Sequence, residues 1–354
     1  MKAALLMADA RIEIAEMALA PLAADECTVR IGAAGVCSSD VARAFAGGAY
    51  FYPLVMGHEL AGEVVACGDS VPVDLGPGQA VTVFPLLPCF TCEACALGRY
   101  AQCRSYDYYG SRRHGGFAEF LNVKAWNLLP LPDGVGIVDG ALTEPVSVVV
   151  HALDRLGVLI APTGPLLVLG AGFLGLLAVK VLRQCRPDLA VTVVDRNPAK
   201  LALAAADGAA TEVLGDEAEW QAFVESNRAT FPAVLEAAGV PATFRHALDL
   251  CRHGGRVVWM GNVSGDVSLP QALVSQVLRK EIDILGTWNS SYRGRAESDW
   301  TRALALMAQG LAPSGLVDVV VGLEELAPLL ADLDAHKRRR IHRPRLKAMV
   351  RPHG

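Results

Sequence analysis

The stretch PLLVLGAGFLGLLAVKVLRQC, residues 165–185, joins a short apolar run to a longer one through a turn punctuated by three glycines. The segment from Leu156 to Val179 has no charged residue and is long enough to cross a membrane. Pro162, Gly164, Pro165, Gly170, Gly172 and Gly175 divide it instead into a strand, a tight turn and a helix, the pattern of a buried parallel strand feeding a crossover helix. Within it GAGFLG, Gly170 to Gly175, matches G-x-G-x-x-G in the context that makes the motif specific. Gly170 permits the turn, Gly172 lets backbone approach a pyrophosphate, Phe173 and Leu174 open the helix, and Gly175 allows close packing. The helix N-terminus offers its positive end to the phosphates.

Twenty residues after Gly175, Asp195 ends the strand VTVVD, where a carboxylate can hold both adenosine ribose hydroxyls and repel a 2′-phosphate. NAD is therefore expected in preference to NADP. Arg196 is a counter-signal, since an arginine can receive that phosphate, and Lys200 can reach the ribose or serve as a solvated helix residue.

Outward from this motif, PLLVLG, VTVVDR, AVLEAAG, GRVVWMGN and EIDILG read as strands with helical stretches between them. The alternation predicts a doubly wound parallel sheet over residues 149–287. Residues 1–148 are mainly β, with short strands between Gly and Pro turns, and the chain returns to mixed segments after Trp288. At 354 residues it exceeds what one hydrophobic core serves. Two domains are expected, 149–287 and a discontinuous 1–148 with 288–354.

A net charge of −5 and 19% charged residues lack the positive field that nucleic acid would attract. The basic run at residues 337–347 has seven Lys and Arg without interleaved aromatics, and reads as solvated surface. The N-terminus is poor material for a secretory signal, so a cytoplasmic protein acting on small molecules, with no nucleic-acid or membrane partner, is expected. Nine cysteines in such a chain favour metal binding or catalysis over disulfides.

Cys89, Cys92, Cys95 and Cys103 provide four thiolates on one loop, 88–104, the spacing of a closed structural zinc site. An iron–sulfur cluster is disfavoured by the absence of a Cys-Pro run, and a nucleic-acid-binding zinc knuckle by the acidic balance. A second set is dispersed: Cys37 in GVCSSD, His58 and Glu59 in MGHELAG, and Glu144 in LTEPVS. Each alone has an ordinary structural explanation. Together they offer sulfur, nitrogen and oxygen ligands, as a catalytic zinc with an open position requires.

GHELAG followed by Gly68, the CxxCxxC(x7)C lobe and GAGFLG, in this order, resemble the zinc-dependent medium-chain alcohol dehydrogenases over nearly the whole chain. The EPVSVVVHA segment is similar to that of the sorbitol and polyol branch. PLLPCFTC, GSRRHGGFAEF and LRKEIDILGTW are similar to members acting on sugar-alcohol phosphates, although His114 stands where those have an acidic residue. The resemblance implies a mainly-β GroES-like catalytic domain beside a Rossmann domain, two zinc ions per chain, NAD, and a homodimer or homotetramer. It implies catalytic zinc on Cys37, His58 and Glu144, with Glu59 either an exchangeable ligand or hydrogen-bonded to zinc-bound water, and a hydroxyl relay at Ser39. Ala42 replaces the histidine that continues this relay in simple alcohol dehydrogenases. Asp40 orients His58 or caps the loop.

The implied reaction takes a secondary hydroxyl of a polyol such as sorbitol, galactitol or altritol, or of galactitol 1-phosphate, to a ketose. A threonine or simple alcohol dehydrogenase is the alternative. Arg43, Tyr109, Ser111, Trp288 and Asn289 are candidate partners for substrate hydroxyls, and Arg43, Arg112, Arg113 or Arg293 could clamp a phosphate.

Overall fold

A computed structural model describes residues 1–159, 164–339 and 345–353. The chain forms two compact units, one of Met1–Ser147 with Ser291–Gly354, the other Val148–Ser290.

The first unit is built around an antiparallel pair, β1 (Glu26–Val36) and β2 (Glu59–Cys67), in a seven-stranded sheet. Their register sets Gly35 opposite Glu59 and Ala33 opposite Ala61. Helix α1 (Ser38–Phe45) follows β1 directly, and helix α2 (Thr143–Leu156) begins in this unit. Beneath the sheet Val29, Ile31, Val64, Val81 and Val83 are fully buried, each removal from water contributing roughly 1.5–3 kcal/mol. The cysteine lobe docks through aromatic rings, because Phe90 and Tyr100 pack edge-on against Trp126 with centroids 4.9 and 5.4 Å away.

In the second unit the order is that of a doubly wound fold. Strands β3 (Leu166–Leu169), β4 (Val191–Asp195), β5 (Ala210–Val213), β6 (Phe231–Glu236), β7 (Cys251–Trp259) and β8 (Asp283–Gly286) pair in parallel in the order β5-β4-β3-β6-β7-β8. All four residues of β3 are fully buried, which explains their unbroken apolar character. Helix α3 (Phe173–Cys185) follows the glycine turn. Gly170 has φ +107°, and a Cβ there would lie 2.8 Å from the Ala238 nitrogen, so glycine is required on two grounds.

The chain then returns to the first unit with β9 (Val317–Val321) and β10 (Lys347–Val350), and β10 pairs with β1, Ala348 opposite Val36. Three sequence-distant segments, near residues 36, 59 and 347, thus meet at one end of the β1/β2 pair. No helix among the described residues is long and apolar enough to cross a membrane. The middle of the basic run, residues 340–344, lies outside the described residues.

Candidate metal and dinucleotide sites

Cys37 sits where β1 gives way to α1, and His58 immediately precedes β2. Strand pairing therefore brings the two together, and one ligand atom from each of Cys37, His58 and Glu59 lies within 4.8 Å of the others. Gly35 is needed for this approach, since a Cβ on it would collide with the Glu59 carboxylate. His58 and Glu59 are buried and Cys37 is half-buried.

Asp40, in the first turn of α1 and fully buried, supports the cluster. Its Oδ2 accepts the Cys37 N–H at 2.9 Å, and its Oδ1 stands 3.5 Å from His58 Nδ1. A carboxylate on one imidazole nitrogen turns the other toward a metal. Burial works against a charged His58, yet the neighbouring Asp40 and Cys37 hold its pKa well above the ordinary value. This cluster wants a cation, and its thiolate, imidazole and carboxylate suit zinc.

Glu59 is ion-paired with Lys347, which also donates to the Val36 carbonyl at 3.1 Å. By its local sequence the basic run reads as solvated surface. Its last cation is instead buried beside the metal cluster, because β10 carries it there. Glu144, on the first turn of α2, is not among the atoms that meet within 4.8 Å. Burial pushes its carboxyl up to about 7, His58 and Lys347 pull it down, and Glu59 and Asp40 push it further up. It therefore belongs to the same electrostatic neighbourhood while standing outside the closest group. Ser39 is half-buried on the first turn of α1.

Cys89, Cys92, Cys95 and Cys103 also bring their sulfurs within 4.8 Å of one another. The Thr91 hydroxyl at 3.4 Å, with backbone N–H groups of Thr91 and Cys92, holds the Cys89 thiol down to about 5, which favours the thiolate a metal needs. Burial pushes Cys95 the other way, to about 12. Four sulfurs and no open position suit a structural zinc.

In the second unit, Asp195 ends β4 and accepts the Ala171 N–H at 2.7 Å and the Asn197 N–H at 2.9 Å, tying the glycine turn to the neighbouring strand. Arg196 is exposed and Lys200 half-buried beside it.

The expected substrate contacts are divided. Tyr109 requires correction: it is 2% exposed, packs in the hydrophobic core, and accepts the Lys124 N–H at 3.1 Å. Its neighbour Tyr108 points the other way, with its ring 5.8 Å from that of His58. Desolvation, reinforced by the charges of Glu144 and Cys37, pushes the Tyr108 hydroxyl well above its usual pKa. Arg43 stands 3.5 Å from Asp40, and Ser111 is buried. Arg113 is ion-paired with Asp107, and Arg293 is exposed. Trp288, 61% exposed, and Asn289 belong to the second unit.

Arg112 has its guanidinium between two rings, 4.5 Å from the Tyr50 centroid and 4.3 Å from that of Tyr106. It donates to the Tyr50 hydroxyl and the Tyr106 carbonyl. Tyr106 in turn contacts Tyr108, so a line of rings runs from exposed Tyr50 to His58. His114 accepts the Val55 N–H on Nδ1 at 3.1 Å and meets Phe51 edge-on.

A dinucleotide turn in one unit and two thiolate-bearing clusters in the other define a zinc-binding dehydrogenase. The alcohol dehydrogenase GroES-like domain matches residues 23–133, and the zinc-binding dehydrogenase domain matches residues 174–309. The chain belongs to the zinc-binding alcohol dehydrogenase family, whose cofactors are zinc and a nicotinamide dinucleotide. It is 38% identical over 291 residues to galactitol 1-phosphate 5-dehydrogenase of Escherichia coli strain K12, covering 80% of this chain and 82% of that one. It is 32% identical over 295 residues to L-galactonate-5-dehydrogenase of the same organism, covering 81% of each. Among solved structures, galactitol-1-phosphate dehydrogenase from Escherichia coli superposes with a TM-score of 0.88 at 33% identity, covering 99% of this chain and 100% of that one.

Proposed function

We propose that this enzyme oxidises a secondary hydroxyl of a sugar alcohol, or of a sugar-alcohol derivative with a charged end, to a ketone using NAD, and acts as a homodimer or homotetramer. The observation that carries the reading is the meeting of Cys37, His58 and Glu59 ligand atoms within 4.8 Å, backed by Asp40 and Lys347. Zinc held by these residues would supply Lewis acidity toward the substrate oxygen, and NAD held at the Gly170–Gly175 turn would supply the hydride acceptor.

Residues of the chain do the rest. Cys37 and His58 are ligands, with Glu144 and Glu59 as the two candidate carboxylates. Asp40 keeps the His58 tautomer fixed through Nδ1. Ser39 takes the hydroxyl proton outward, and Tyr108 lines the approach. Cys89, Cys92, Cys95 and Cys103 hold the second zinc. Gly170, Gly172, Phe173, Leu174 and Gly175 receive the pyrophosphate, with Asp195 on the adenosine ribose.

The ring-stacked Arg112 favours a substrate with a phosphate or carboxylate at the end away from the oxidised carbon, because its planar fork is held rigid and matches such groups in pairs of hydrogen bonds. NAD-dependent turnover of galactitol 1-phosphate, galactonate, galactitol, sorbitol, altritol, L-threonine and ethanol tests both levels. Charged substrates should lead by about tenfold or more in kcat/KM, the worth of one charge-assisted contact. In Arg112→Met that lead should vanish. Preference for L-threonine or ethanol would move the enzyme to another branch of the family.

A further inference from the structure

Glu236 is a carboxylate at the end of an otherwise apolar strand, and it is fully buried. It lies at the C-terminal edge of β6, beside the point where the strand order of the second unit reverses. Dinucleotides lie across that crevice. Asp195, at the end of β4, marks the adenosine side of β3. The other half of the cofactor therefore extends over the ends of β6 and β7.

The loop after β6 is fastened to this side chain, and the loop after β7 to its backbone. Glu236 Oε1 accepts the Ala238 N–H at 3.0 Å, the Gly239 N–H at 2.9 Å and the Thr243 hydroxyl at 2.7 Å. Oε2 faces the loop after β7, where a Cβ on Gly261 would lie 2.6 Å from it. The Glu236 carbonyl accepts N–H groups of Met260 and Gly261, both at 2.9 Å. Ser264 closes the connection by donating its N–H and hydroxyl to the Gly239 carbonyl, each at 3.0 Å. On the opposite flank the Ala237 N–H reaches the Leu169 carbonyl, and Ala238 is pressed against Gly170 of the pyrophosphate turn. The carboxyl thus fixes the turn after β6, and that turn meets those after β7 and β3 through the Glu236 and Gly239 carbonyls and the Ala237 N–H.

We infer that Glu236 is a positioning residue for the nicotinamide half of the cofactor, holding residues 237–239, against which residues 260–262 rest, in the conformation that walls that side of the crevice. The inference rests on the NAD reading above. A carboxyl serves because its single Oε1 satisfies three converging donors, which no apolar residue does, and loops otherwise rich in glycine gain a fixed shape. Burial also pushes its pKa above the ordinary range against the pull of those donors, so glutamine is a fitting replacement.

The test compares NADH with ADP-ribose, which lacks the nicotinamide, on the zinc-loaded enzyme. Dissociation constants are measured by fluorescence and by competition for the wild type, Glu236→Gln, Glu236→Ala and Thr243→Val. Glu236→Ala should weaken NADH by about tenfold or more, the loss expected for unsatisfied loop donors, with ADP-ribose within about twofold. Glu236→Gln should restore NADH binding to near the wild-type value. Should Glu236→Ala fail to fold, Thr243→Val carries the test with a loss of about threefold in NADH alone. Equal weakening of both ligands, or unchanged NADH binding in Glu236→Ala and Thr243→Val, would overturn the inference. A wild type that binds neither ligand would instead overturn the NAD reading beneath it.

Discussion

The ion pair of Glu59 and Lys347 shows how one residue's setting governs its chemistry. Both side chains are almost wholly shielded from solvent, at 3% and 4% exposure. Removing one partner strands the other's charge in a poorly solvated place, which typically costs about 3–5 kcal/mol. Lys347→Met should therefore lower urea-unfolding stability by about that amount, and adding Glu59→Gln should recover more than half of it, because the stranded charge is gone. If Lys347→Met unfolds within about 1 kcal/mol of the wild type, water reaches the pair and the charge is not stranded. Such a residue was hard to find in the sequence. Lys347 closes a run of seven cations, and nothing local marks it as a residue that turns inward. Its burial follows from the β10 pairing with β1, a contact spanning more than 300 residues.

At the scale of elements, legibility followed sequence distance. The glycine turn, its strand and helix, Asp195 and the four cysteines of residues 88–104 all declare themselves within short windows, because their spacing is the chemistry. The Cys37, His58 and Glu59 group was legible as residue types, but its closeness depends on the β1/β2 register. The Tyr108 and Tyr109 reversal has the same origin. Neighbouring strand residues face opposite ways, and a two-residue strand, Asp107–Tyr108, has no periodicity to show which faces the core. The cysteine lobe supports a prediction of its own kind. Phe90 and Tyr100 flank its sulfurs and clamp Trp126, so the lobe's order should be reported by tryptophan. Cys92→Ser should lower bound zinc from two to about one per chain, and should shift tryptophan emission as the clamp loosens. NADH affinity should stay unchanged. Two zinc ions retained in Cys92→Ser, measured by elemental analysis, would remove this lobe from the metal sites.

For the whole molecule, the division of labour is strict among the described residues. Every candidate metal ligand belongs to the unit of Met1–Ser147 and Ser291–Gly354, while the glycine turn, Asp195 and Glu236 belong to Val148–Ser290. Each site is assembled from hydrogen bonds and packing inside its own unit, so binding and chemistry should separate experimentally. Glu144→Ala is the informative variant, because Glu144 lies in the field of His58, Lys347, Glu59 and Asp40 yet outside the closest ligand group. If it completes the zinc coordination, its loss should remove about one zinc per chain and lower turnover by about a thousandfold or more, as losing a Lewis acid worth several kcal/mol requires. NADH binding should remain within about threefold of the wild type, since no residue of the dinucleotide site is touched. Full zinc content would instead leave Glu59 as the carboxylate ligand and Glu144 as its charged neighbour. A parallel fall in NADH affinity and zinc content would show that the two units do not load independently, and that coenzyme binding depends on the metal.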